Sequence, residues 1–117
     1  MVNEAKHTPG PWEANNGEGY SIWSIYAPSR SAIARVIGDG AETDANANLI
    51  AAAPELLEKC KKVRSWLLRL AENSEKQAVA CGFETLKKAY EHDARNYRST
   101  AADIDSVIAK AEGSGAV

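Results

Sequence analysis

Asp44-Ala-Asn-Ala-Asn-Leu-Ile-Ala-Ala-Ala-Pro-Glu-Leu-Leu-Glu58 divides the chain. Before it, short runs alternate between apolar and polar residues and are separated by Gly, Pro and Asn. After it, apolar residues recur at three- and four-residue steps, the period of a helix. The stretch itself predicts two helical pieces. Thr43 or Asp44 is placed to cap the first, because a short side-chain oxygen accepts from the unpaired amides of a first turn. Pro54 lacks an amide proton and disfavours helix in the residue before it, so a kink or restart is expected there. Glu55 and Glu58 then sit near the positive end of a second helix. Leu56, Cys60, Val63, Leu67 and Leu70 give that helix, running to about Glu72, an apolar stripe.

Working back toward the N-terminus, Ser31–Ile37 alternates as a strand, with Ile33, Arg35 and Ile37 on one face and Ala32, Ala34 and Val36 on the other. Tyr20–Tyr26 does the same. Tyr20, Ile22, Ser24 and Tyr26 point one way; Ser21, Trp23 and Ile25 point the other. Both faces carry aromatics, so helices are expected to cover one and a neighbouring subunit the other. Asn15-Asn16-Gly17-Glu18-Gly19 and Ala27-Pro28-Ser29-Arg30 read as turns. Thr8-Pro9-Gly10-Pro11-Trp12 denies helix and gives a stiff, extended entry to a first strand. Residues 1–7 read as loose.

Toward the C-terminus, Asn73-Ser74 suggests a break. Val79, Phe83, Leu86 and Tyr90 form the next helical stripe, continuing to Ala94 and Tyr97, with a kink or break expected at Gly82. Thr100 and Asp103 resemble a capping box for a last helix whose Ala101, Ile104, Ile108 and Ala111 face inward. Gly113–Val117 reads as a flexible tail. The expected fold class is therefore α+β: a small antiparallel β-meander of about three strands over residues 1–42, then a helical hairpin or bundle over 43–112. The chain of 117 residues has room for one modest core, so a single domain is expected.

A net charge of −2 supplies no global basic field, so extended nucleic acid is not an expected partner. No apolar run approaches the ~20 residues that span a membrane. Cys60 and Cys81 are expected as reduced, buried thiols. With His7 and His92 far apart in sequence, no zinc motif forms, and no metal or cofactor is expected. Neither histidine is placed beside a nucleophile, and no phosphate loop or dinucleotide fingerprint is present. A non-enzymatic binding protein is the expected class.

Two sets of residues suit a ligand. Trp12, Trp23 and Tyr26 offer aromatic faces near the sheet, with Arg30 and Arg35 close by. Aromatic faces stack on bases, and guanidinium forks take phosphate. Tyr90, Arg95, Tyr97 and Arg98 form a second cluster on a helix. Both are candidate ligand-binding residues.

Thr-Pro-Gly-Pro-Trp at 8–12, Ile-Ala-Arg-Val at 33–36, the Ala-Asn-Ala-Asn-Leu-Ile-Ala-Ala-Ala-Pro-Glu-Leu-Leu-Glu run at 45–58 and Ile-Ala-Lys-Ala-Glu-Gly at 108–113 resemble a widespread group of small phage and prophage proteins. Residues 73–99 look like a variable insert between the matching parts. In size and in its order of strands then helices, the chain is similar to the phage Thoeris anti-defence signal sponges. That resemblance implies a homo-oligomer in the cytoplasm of an infected or lysogenic bacterial host. It also implies sequestration, without cleavage, of cyclic ADP-ribose-type or cyclic nucleotide signals. No pocket residue of that family maps to a numbered position here, so the nine candidates rest on their own chemistry. The alternative is a phage accessory protein that inhibits or adapts a host protein through its helical surface.

Overall fold

The computed structural model describes residues 7–16, 22–38 and 40–113. The expected turn at Gly17–Gly19, the strand start at Tyr20 and the tail beyond Gly113 lie outside them. The element order is β1 (Glu13–Asn15), β2 (Ile22–Tyr26), β3 (Ala32–Ile37), α1 (Ala41–Ala80) and α2 (Glu84–Ala111). The strands form one antiparallel sheet in the order β1-β2-β3, so the meander and the α+β class are as the sequence implies. The chain forms two compact units, Met1–Glu58 and Lys59–Val117, and α1 contributes to both.

In the first unit, strand pairing sets Ala14 opposite Ile25 and Ile25 opposite Ala34. Two small neighbours leave room for Ile25, which is fully buried at 0% exposure. Ala47, Pro54 and Leu57 are the buried positions of the first part of α1. Trp23 points to the same sheet face as Ile25, and its indole Nε1–H donates to Asp44 Oδ1 at 2.8 Å. That bond ties β2 to the first turn of α1 and uses the carboxylate expected to cap it. The helix starts earlier, at Ala41, with the Asp44 amide bonded to the Gly40 carbonyl. Gly38 has φ 144°, and a Cβ there would lie 2.7 Å from Thr43 Oγ1. Glycine is therefore required at the bend into α1.

Pro54 does not end the helix. α1 runs unbroken through it for 40 residues. Proline costs one backbone bond and a ring contact, and burial of the ring offsets part of that cost. The expected break at Asn73-Ser74 is also absent, and Ser74 is buried inside α1. The chain breaks instead at Cys81-Gly82-Phe83, where Gly82 interrupts the helical stripe. Thr100 caps nothing, because α2 is continuous through it.

In the second unit, α1 and α2 run antiparallel. Lys61 pairs with Glu112 at 2.9 Å, Arg64 with Asp105 at 2.8 Å and Glu75 with Arg98 at 2.6 Å, so partners descend α2 as they ascend α1. The seam is built from small residues: Ala71, Ala78, Ala94 and Ala101 are buried, with Ile108 at one end. Alanines allow two helix backbones to approach closely. The buried face of α1 thus lies about one residue on from the expected stripe. Leu56 and Val63 are exposed, while Cys60, Leu67 and Leu70 are only half-buried. Val79 and Phe83 are 86% and 76% exposed, and Leu86 is exposed too. Ala101 and Ile108 do face inward, and Ala111 does not. Both cysteines are free thiols, half-buried rather than buried.

Phe83 occupies the N-cap of α2 with extended geometry (φ −109°, ψ 120°) and makes no side-chain cap bond. Phe83→Asp should supply an acceptor for the first-turn amides and a negative charge at the positive helix end. Little packing is lost at so exposed a site. Unfolding free energy should rise by about 1 kcal/mol, read by urea denaturation. An unchanged midpoint would show that the first turn of α2 is already satisfied.

Candidate ligand-binding groove

Residues opposite one another across antiparallel strands share a face. The register therefore places Glu13 and Tyr26 together, then Asn15, Ser24 and Arg35 in one row, then Ile22 beside Ile37. This is the face opposite Ile25 and Trp23. The chain leaves much of it open: Ile22, Tyr26, Arg35 and Ile37 are all exposed, Ile37 at 75%.

The end of this face carries a half-open groove of about 570 Å³ lined by Pro11, Glu13, Asn15, Tyr26, Ala27, Pro28 and Arg30. Its size falls within the usual range for small-ligand sites. The β2–β3 turn shapes its rim. Ala27 N–H bonds to the Ser31 carbonyl at 3.0 Å, and Arg30 N–H to the Ala27 carbonyl at 2.8 Å. Arg30 sits in the left-handed region at φ 65°, a conformation that costs a non-glycine residue roughly 1–2 kcal/mol. A register shift between Ile25 and Tyr26 leaves β3 one residue longer than its partner at this end of the sheet. Among the described residues, no carboxylate pairs with the guanidinium of Arg30 or of Arg35.

The other aromatic candidates are held elsewhere. Trp12 is half-buried, its Nε1–H donating to the Thr8 carbonyl at 3.0 Å and its ring edge-on to His7 with centroids 6.1 Å apart. Trp23 is committed to Asp44 on the inner face. The structure thus brings Tyr26 and Arg30 into one groove, puts Arg35 on the same face, and sets Trp12 and Trp23 apart from them. Glu13, Asn15, Pro11 and Pro28 were not singled out from the sequence. Alternation would have placed Glu13 and Asn15 with Tyr26 only once the β1–β2 register was known.

Tyr90, Arg95, Tyr97 and Arg98 belong to the second unit. Tyr90 and Tyr97 are half-buried along the inner stripe of α2, and Arg95 is exposed. Arg98 is engaged through two bonds, Nε to Glu75 Oε2 at 2.7 Å and Nη2 to Glu75 Oε1 at 2.6 Å. This fork holds the Glu75 carboxyl below its ordinary pKa of 4.5 and raises that of Arg98. A depressed carboxyl pKa contributes stability above the unfolded value, and the contribution is lost as pH falls through the folded one. Arg98→Gln should therefore move the Glu75 titration upward toward 4.5, followed by carbon-detected NMR. A midpoint that does not move would show that the fork is not formed in solution.

Among the described residues, no group of three or more His, Cys, Asp or Glu side chains is placed to hold a metal ion. No described helix is long and apolar enough to cross a membrane.

A three-stranded meander with an open, arginine-bearing face, followed by a long helical hairpin, defines a small α+β fold. The chain belongs to the family of Salmonella phage P22 protein Y8K6, whose family model matches residues 1–115. It is thus a member of a phage protein family, and the match runs through residues 73–99 as well as the flanking motifs. No curated protein and no solved structure matches the chain.

Proposed function

We propose that this phage protein binds a cyclic nucleotide or cyclic ADP-ribose-type immune signal at the open face of its sheet and sequesters it uncleaved, within the infected or lysogenic host. The observation supporting this is the meeting of Tyr26 and Arg30 in one groove, with Arg35 on the same face. An aromatic ring with two guanidinium groups that have no carboxylate partner among the described residues suits a ligand that combines a base with phosphate. A half-open groove covers such a ligand on one side, so a second subunit of a homo-oligomer would supply the remaining wall.

The test is calorimetric titration of the full chain with a panel of cyclic nucleotides and cyclic ADP-ribose isomers, followed by recovery of the ligand. Stoichiometric binding and intact recovered ligand are expected. Arg30→Gly keeps the left-handed turn while removing the guanidinium, so it should fold normally and bind at least roughly tenfold more weakly. Absence of binding, or recovery of altered ligand, would overturn the reading.

A second reading, an accessory protein that engages a host protein through its helices, draws support from the exposed Val79 and Phe83 at the turn of the hairpin. It predicts that Phe83→Ser, folded and with ligand binding unchanged, loses a host partner recovered with the wild-type chain. Equal recovery of that partner by both chains would remove this reading.

A further inference from the structure

The groove carries opposite charges on its two flanks. Of the described residues that line it, Glu13 is the acid and Arg30 the base. Strand pairing sets Glu13 directly across from Tyr26. β2 runs between β1 and β3, so Tyr26 has Glu13 on one flank. On the other it has Ala32, whose methyl leaves that flank low, and the turn that bears Arg30. Two strand spacings, about 10 Å, separate the β1 and β3 flanks. Glu13 is exposed and, among the described residues, has no cationic partner.

A carboxylate only accepts hydrogen bonds, and its two oxygens match two N–H donors lying side by side in one plane. Unpaired bases are read along their outer edges while they stack on aromatic rings. Guanine presents the matching pair there, its ring N–H beside its amine. Adenine and cytosine each set an amine beside a ring nitrogen lone pair, which a carboxylate oxygen repels. Uracil sets its N–H between two carbonyls. A purine stacked on Tyr26 with its outer edge toward β1 carries its sugar and phosphate toward β3. The distance between the two flanks is comparable to the span from that edge to the phosphate. Arg30 then meets the phosphate, and Glu13 stays well away from it.

We infer that Glu13 reads the base and makes the groove selective for guanine, so that the sequestered signal is a guanine-containing cyclic nucleotide. This rests on the proposed function and narrows its ligand. Neither of the other acids placed near the sheet competes for the role: Asp44 accepts from Trp23 on the inner face, and Glu42 lies in the first turn of α1.

Calorimetric titration of the full chain with cyclic diguanylate, cyclic diadenylate and cyclic ADP-ribose tests it. Cyclic diguanylate should bind at least roughly tenfold more tightly than either of the others, the discrimination that one bidentate pair supplies. Glu13→Gln puts an NH2 donor in place of one acceptor oxygen, a pattern that complements adenine. Because Glu13 is exposed, this variant should keep the wild-type urea midpoint, and its preference for cyclic diguanylate should be lost. Equal binding of the two dinucleotides would overturn the inference and leave the proposed function in place. Tightest binding of cyclic ADP-ribose, as expected if the carboxylate takes ribose hydroxyls instead, would do the same. So would an unchanged preference in the folded Glu13→Gln variant. Binding of none of the three ligands would overturn both.

Discussion

Ile25→Ala is expected to lower the free energy of unfolding by about 2–5 kcal/mol. The side chain is fully buried on the central strand, and its two cross-strand neighbours are alanines. Neither Ala14 nor Ala34 has atoms to move into the space, so the cavity stays open and the cost should fall toward the upper part of that range. Equilibrium urea unfolding measures it, with the groove tyrosine as a local reporter. A loss below about 1 kcal/mol, the cost of a well-tolerated hydrophobic swap, would mean that the core of the first unit is not centred on this residue.

The second large effect is at Gly10. A Cβ built there lies 2.9 Å from Pro54 Cβ and 3.2 Å from Pro54 Cγ. Those atoms belong to a rigid ring on a helix and cannot rotate away. Gly10→Ala should therefore destabilise by about 1–3 kcal/mol, the usual cost of overpacking. A double-mutant cycle identifies the cause. Pro54→Ala retains the nearer Cβ and should leave most of the penalty in place. Pro54→Gly removes it, so Gly10→Ala should then be nearly neutral. Equal penalties in all three backgrounds would show that the cost arises in the segment before β1 and not at this contact.

That contact also explains two motifs that look unrelated in the chain. Thr8–Trp12 and the run ending at Glu58 are separated by the whole sheet, yet Gly10 lies against Pro54. Read locally, Pro54 is a helix breaker, and the sequence implied two pieces. The tertiary contact decides otherwise: the ring is buried, and one helix runs through it. The strands were legible because alternation and turn residues act within a few positions. The break at Gly82 was legible for the same reason. On α2 the inward positions Ala94, Ala101 and Ile108 were legible from the helical period, but the buried face of α1 was not. Apolar count favoured the stripe through Leu56 and Val63, whereas the seam uses alanines plus Lys61 and Arg64, whose stems lie along it while their heads form ion pairs. For the groove, alternation separated Tyr26 from Trp23 correctly. The register that brings Glu13 and Asn15 beside Tyr26 depends on pairing across a loop and could not be read from spacing.

Pro54 has a kinetic consequence as well. With no N–H at that position, the Ile50 carbonyl lacks the donor that would otherwise close its turn, so the long ladder of α1 has a gap in its N-terminal third. Opening that begins at Ala41 can run to this gap without loosening the rungs beyond it. Native-state deuterium uptake should therefore resolve one continuous helix into two protection classes: amides before the proline exchanging through small local openings, and those from about Lys59 onward only through loss of the whole hairpin.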